Sequence, residues 1–264
     1  MEEHPNAQII QSMASMKMYS SSFLLLALLL VGTLASACKK EDVSGVVPDV
    51  YKKIYGATSI TSDGTNLTIK TKGLPDHTSP YYATSDPLYE NYNGTTFGGN
   101  NFVKNPNEIE EQTLTFTIPL NPAEDSRHKA TSLGAIGVAL NGVPLYNQYA
   151  GPNNQQLAGE IGTFDKFYGH PQQQGRYHYH VEPLYLTTVV AGKDSLIGFL
   201  LDGFPVYGPE ENGNVVTSAM LDDYHGHSHA TSDFPDGIYH YHFTADSPYL
   251  NGNGYFGDPG KVTQ

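Results

Sequence analysis

Tyr177-His178-Tyr179-His180 and Tyr239-His240-Tyr241-His242 are one tetrapeptide written twice, and each closes a longer unit that also repeats. The first unit opens with Ile136-Gly-Val-Ala-Leu-Asn-Gly-Val-Pro-Leu-Tyr146 and continues through Asp165-Lys-Phe-Tyr-Gly-His170. The second opens with Ile197-Gly-Phe-Leu-Leu-Asp-Gly-Phe-Pro-Val-Tyr207 and continues through Asp222-Asp-Tyr-His-Gly-His227. The three motifs keep their order at separations of 61, 57 and 62 residues, the last step reflecting a five-residue insertion after His227. Chance does not return three ordered motifs in this way. The chain reads as a duplicated supersecondary unit, with copies at about 136–186 and 197–250.

On a strand, alternate side chains share a face. His178 and His180 therefore point one way and Tyr177 and Tyr179 the other, and the same holds for His240 and His242 against Tyr239 and Tyr241. Two imidazoles at i and i+2 can grip one ion. His170 and His227, in the turns that precede the two strands, are the candidate third ligands. Asp165 and Asp222 lie five residues before them, placed to be further ligands or to fix an imidazole tautomer. The second copy adds His225 and His229, which points to separate, non-equivalent environments. The competing reading is a buried Tyr/His hydrogen-bond network with no ion.

Outward from the repeats, the chain is rich in turn residues, with 27 Gly and 17 Pro, and holds no long stretch of 3.6-residue period. That composition predicts an all-β fold, mainly antiparallel and sandwich or barrel-like, with short helices and long loops. Asn66–Thr71 and Gln112–Ile118 alternate as half-buried strands do, and Ser62-Asp63-Gly64 marks a hairpin before the first. Ile136–Leu140 and Leu196–Leu201 are apolar runs of buried-strand length. Asn141-Gly142 and Asp202-Gly203 predict type I′ turns after them, and Pro144 and Pro205 place the return strands at an edge or bulge. Residues 78–107 read as a long loop packed over a site. Short helices are expected within 157–167 and 218–224.

Residues 1–37 read as a secretory leader, with an apolar core at 23–34 too short to span a bilayer comfortably. Translation is expected to start at Met16, because Lys17 then supplies the positive n-region that Glu2 and Glu3 oppose. Ala35-Ser36-Ala37 before Cys38, the single cysteine, resembles a bacterial lipobox with Ala35 in place of the commoner leucine. Cys38 is the expected lipidation site, 38–50 the tether and 51–264 one domain. This predicts an outer-membrane-anchored lipoprotein of the cell envelope, whose only membrane contact is the anchor. Lys39-Lys40-Glu41-Asp42 resembles a short surface-export signal.

The chain carries 14 basic and 27 acidic residues, for a formal charge of −13. Such a balance excludes nucleic acid as a partner and disfavours anionic lipid beyond the anchor, while it draws cations. Outside the leader the only methionine is Met220, which argues against a soft Cu(I) site. Imidazole with carboxylate suits Zn, Cu or Fe.

The paired Tyr-His-Tyr-His segments, each after Asp-x-x-x-Gly-His and (Asn/Asp)-Gly-x-Pro-x-Tyr, resemble the YHYH domain family of secreted and lipid-anchored proteins. Gly73-Leu-Pro-Asp-His77 is similar to that family's early Gly-x-Pro-x-His element, and the resemblance adds His77 to the candidates. It supplies no reaction. Three functional readings follow: a transition-metal-binding envelope protein, a metal-dependent hydrolytic enzyme, and a glycan- or protein-binding surface module. For the enzyme, Glu160, Glu182 or Asp202 would be the proton acceptor, none with a motif behind it. The 19 tyrosines and absence of tryptophan bear on the third reading, since tyrosines build interfaces as well as cores.

Overall fold

The computed structural model describes residues 45–264; the leader, Cys38 and the first part of the tether lie outside the described residues. Strands run in chain order β1 (Ala57–Ser62), β2 (Asn66–Thr71), β3 (Leu114–Pro119), β4 (Ala135–Ala139), β5 (Pro144–Tyr146), β6 (Tyr149–Gly151), β7 (Gln155–Gln156) and β8 (Gly169–Pro171). They continue as β9 (Tyr177–Tyr179), β10 (Leu196–Leu200), β11 (Pro205–Tyr207), β12 (Glu210–Glu211), β13 (Asn214–Val215), β14 (Gly226–His229), β15 (Ile238–His242) and β16 (Lys261–Thr263). Helices are short turns, among them Asp49–Lys52, Leu157–Gly159, Ile161–Thr163 and Ser218–Met220. The first helix expected from sequence is thus two successive short turns and the second a single one.

A four-stranded sheet has the order β1-β2-β3-β16, and an eight-stranded sheet the order β14-β15-β11-β10-β4-β5-β9-β8. The long sheet is a palindrome under exchange of corresponding strands, with β4 and β10 paired antiparallel at its centre. It stays open, so the barrel-like form does not occur. Pairing is antiparallel except at β5–β9 and β11–β15, which are parallel. In β2 the residues Leu67, Ile69 and Thr71 are buried, and in β3 Leu114, Phe116 and Ile118; these alternate faces join Ile136, Val138, Phe199 and Val206 of the long sheet in one hydrophobic core. The folded unit begins earlier than residue 51. The Gly45 amide donates to the Ser62 carbonyl, and Tyr51 and Ile54 are buried in the core.

Two local expectations need correction. Asn141 and Asp202 are not in the left-handed region; only Gly142 (φ +80°) and Gly203 (φ +86°) are, and their amides donate to the Ala139 and Leu200 carbonyls. The turn therefore starts one residue early, and glycine takes the left-handed position that follows a three-residue hairpin, instead of a type I′ pair. Of the edge or bulge expected at Pro144 and Pro205, the edge does not occur, since both prolines open strands interior to the sheet, while both hairpins carry a bulge-like register shift. A proline at the first strand position withholds no ladder donor that its neighbour needs. Register shifts occur in both hairpins, between Ala135 and Gly137 and between Leu196 and Gly198.

Candidate metal centres

Each Tyr-His-Tyr-His strand sorts its side chains onto two faces with different chemistry. On the tyrosine face, Tyr177 donates to Asp165 (2.8 Å) and Tyr239 to Asp222 (2.9 Å). The second tyrosines meet the turn residues: Asn141 donates to the Tyr179 hydroxyl (3.1 Å), and Tyr241 donates to Asp202 (2.6 Å). Asp165 also accepts from Ser79 and from the Phe167 amide, and Asp222 from the Tyr224 and Gly226 amides. The two aspartates are thus tyrosine anchors on the face away from the imidazoles, and they do not join the ligand clusters expected of them. His77 is also on this side, 3.1 Å from the Tyr179 hydroxyl and against Phe167 and Tyr185. A separation of five between aspartate and histidine could not reveal the face, because a turn intervenes.

On the other face the histidines converge in two separate groups. β8 pairs with β9 so that His170 lies opposite His178, and β14 pairs with β15 so that His227 lies opposite His240. The glycines before these cross-strand histidines make room for a ring. A Cβ on Gly169 would lie 2.5 Å from the Tyr177 ring, and one on Gly226 would meet Tyr239 equally closely. The two groups belong to β9 and β15, five strand steps apart, hence on the order of 24 Å from each other.

In the first group the Nε2 atoms of His170 and His178 are 3.1 Å apart, and those of His178 and His180 are 3.0 Å apart. The Nδ1 atoms are all committed elsewhere. His178 donates to the Arg176 carbonyl (3.1 Å) and His180 to the Asn147 carbonyl (2.6 Å), because a carbonyl can only accept. His170 donates to the Thr163 hydroxyl (2.7 Å), whose own proton goes to the Glu160 carbonyl (2.8 Å). A neutral imidazole carries one N–H, so all three Nε2 atoms present lone pairs to one another. Three lone pairs at 3.0–3.1 Å repel unless a cation lies among them. An extra proton is disfavoured: burial holds His170 and His178 well below the ordinary imidazole range and His180 down to about 4.

The second group repeats the logic. His240 donates through Nδ1 to the Ile238 carbonyl (3.0 Å) and His242 to the Gly208 carbonyl (2.8 Å), the counterparts of Arg176 and Asn147. His229 donates to its neighbour Ala230 (2.9 Å). His227 Nε2 lies 3.2 Å from both His242 Nε2 and His229 Nε2, and the buried His240 Nε2 has no hydrogen-bond partner. Glu211 reaches in from β12, its Oε1 2.6 Å from His229 Nε2 and 3.6–3.8 Å from the other three. Burial again lowers His227, and it lowers His240 and His242 to about 4.

These distances fit an ion. Nitrogens about 2.0–2.1 Å from a tetrahedral Zn²⁺ stand about 3.3 Å from each other. Aromatic walls hold the rings in place: Tyr146 stacks on His178 at 3.9 Å, and Phe164 meets His170 edge-on. Tyr146 in turn accepts from the buried Arg176 (3.2 Å).

His170, His178, His180, His227, His240 and His242 are therefore brought together as the strand period implies. His229 stands beside the second group, 3.2 Å from His227 Nε2, but outside the set of Glu211, His227, His240 and His242 whose donor atoms all lie within 4.8 Å of one another. His225 is buried apart from it, bonded to the Thr244 hydroxyl (2.9 Å). Glu160 stands beside the first group, 3.5 Å from His170 and 4.0 Å from His180, and burial raises its pKa. Glu182 accepts from Thr187. Glu211 has no signal in the sequence, since nothing like it occurs in the first copy.

Neither any curated protein nor any solved structure matches the chain. A family model does, that of the YHYH protein family, over residues 115–215 and 210–253. Those segments carry both hairpins, both aspartate anchors and every histidine of the two clusters, so the chain belongs to the YHYH protein family.

Proposed function

We propose that the protein is a lipid-anchored envelope protein that binds two transition-metal ions, one in each histidine cluster. The convergence of Nε2 lone pairs, with the Nδ1 protons of His178, His180, His240 and His242 spent on backbone carbonyls, carries this reading. A purely structural Tyr/His network would place donors against acceptors, and here the tyrosines and aspartates do so on the opposite face. The motif tyrosines are buried, which weighs against a glycan-binding surface built from them. Zn, Cu and Fe all suit three or four imidazoles with a carboxylate.

Metal analysis of protein purified without a histidine tag tests the reading. Two equivalents are expected in the native protein, with a lower melting temperature after chelation. His178→Ala/His180→Ala should lose one equivalent and leave the second centre near its original affinity. Absence of stoichiometric metal together with an unchanged melting temperature would sink the reading. The anchor rests on Cys38 and the leader. Fractionation with membranes, lost in Cys38→Ser, is the expected outcome.

A further inference from the structure

The two clusters are built on corresponding strands, yet they differ at two donor positions. The second copy places Glu211 three residues after the carbonyl that orients His242. The corresponding place in the first copy, three residues after Asn147, is Ala150. His229 sits two residues beyond His227 on β14, and two residues beyond His170 is Gln172. The Gln172 side-chain oxygen is engaged elsewhere, accepting from Tyr146 (3.2 Å). Ala150 and Gln172 both line a pocket of about 560 Å³ onto which His170, His178 and His180 open. The pocket beside the second cluster holds about 240 Å³ and has Glu211 and His229 in its wall.

Depth and donor count run in opposite directions. The first cluster is the deeper one, with histidine side chains no more than 5% exposed, whereas His229 is 38% exposed. Donor count decides whether an ion keeps a free coordination position. Three imidazoles leave a fourth position open; three imidazoles and the Glu211 carboxylate fill it, with His229 beside them.

We infer that the first centre keeps an exchangeable ligand position facing the large pocket, for a small uncharged proton-bearing molecule, while the second centre is closed by Glu211 and His229. The inference rests on the metal-binding reading. The ligand class follows from the polar part of the lining, which includes Asn105, Asn107, Gln173, Gln174 and Tyr149 and has no Lys or Arg. Amides and a phenol suit a hydroxyl- or amide-bearing molecule, or water itself. Glu160 is the one carboxylate in the wall and stands to one side of the imidazoles, where it accepts a hydrogen bond from whatever occupies the position. It acts as a positioning residue and not as a ligand of the ion.

Cobalt(II)-reconstituted protein tests this with azide as the probe of an open position. Cobalt content is measured first, and two equivalents keep the metal-binding reading intact whatever azide then does. Azide should change the visible spectrum of one equivalent only. The response should vanish in His178→Ala/His180→Ala, and also in Ala150→Glu/Gln172→His, which still binds two ions but installs the donors of the second centre. Glu160→Gln should retain both ions and bind azide several-fold more tightly, since a negative charge has been removed. Azide acting on both ions or neither, or persisting without the first centre, would overturn the inference. Loss of the first ion in Glu160→Gln would show that Glu160 is a ligand and overturn its assigned role.

Discussion

At the residue scale, the most informative comparison is Asn141 with Asp202, which follow the same hairpin and serve the same tyrosine position with different charge. Asp202 is fully buried, and burial raises its pKa from 3.8 to about 6. A carboxyl with a folded pKa above its unfolded one contributes stability below pH 3.8 that is lost as pH rises through about 6. Two pKa units correspond to about 3 kcal/mol. Asp202→Asn in the metal-free protein should therefore gain on the native chain by about 2 kcal/mol between pH 4 and pH 7, most of that total. An amide already fills the equivalent place in the first copy, and the oxygen that accepts from Tyr241 and the Gly257 amide can be kept. Urea denaturation at the two pH values measures this; a gap that does not change with pH would show the carboxyl is not titrating there. Single residues also mark the limit of the sequence. His178 and His180 were legible because a strand alternates with period two, but Asp165 and Asp222 were not, because the turn after them hides which face they reach. Glu211 arrives from a separate hairpin with no repeated spacing to betray it.

At the element scale, the Gly-His pair and the Tyr-His-Tyr-His strand form a single hairpin device. The hydroxyl end of the first tyrosine ring packs against the glycine, its hydroxyl fixes the aspartate, and the aspartate holds the turn that delivers the cross-strand histidine. Gly169→Ala forces the Tyr177 ring to move and should cost about 1–3 kcal/mol, as overpacking does. The displaced β8 should also weaken metal binding at the first centre while leaving the second unchanged. Differential scanning calorimetry with metal analysis reads both effects, and equal weakening at both centres would refute the hairpin account. The buried runs of β4 and β10 and the alternation of β2 and β3 were readable from pattern alone. The turn type was not, because Asn-Gly suits a type I′ pair and a three-residue hairpin equally well until the strand register is known. The interior position of β5 and β11 was hidden too. A proline only vetoes the ladder bond at its own position, and here that position is the strand's first.

At the scale of the whole molecule, the eight-stranded sheet reads the same from either end, and its two outermost strands, β8 and β14, are the ones that carry His170, and His227 with His229. An outermost strand presents a row of unpaired amides and carbonyls to any other chain, a template for aggregation. The next strand inward supplies the remaining imidazoles, so an ion held in each cluster would tie the rim of the sheet to its neighbour. Metal bound in this way would act as a rivet at both ends of the ladder. Chelation should speed hydrogen exchange at β8 and β14 well before it reaches β4 and β10, which mass spectrometry of peptides resolves. Uniform acceleration across the sheet would show that the ions support the fold from its middle. If the rivets are what keep the rims capped, the metal-free protein should still be folded yet form oligomers on storage, so that scarcity of metal is felt first as stickiness rather than as unfolding.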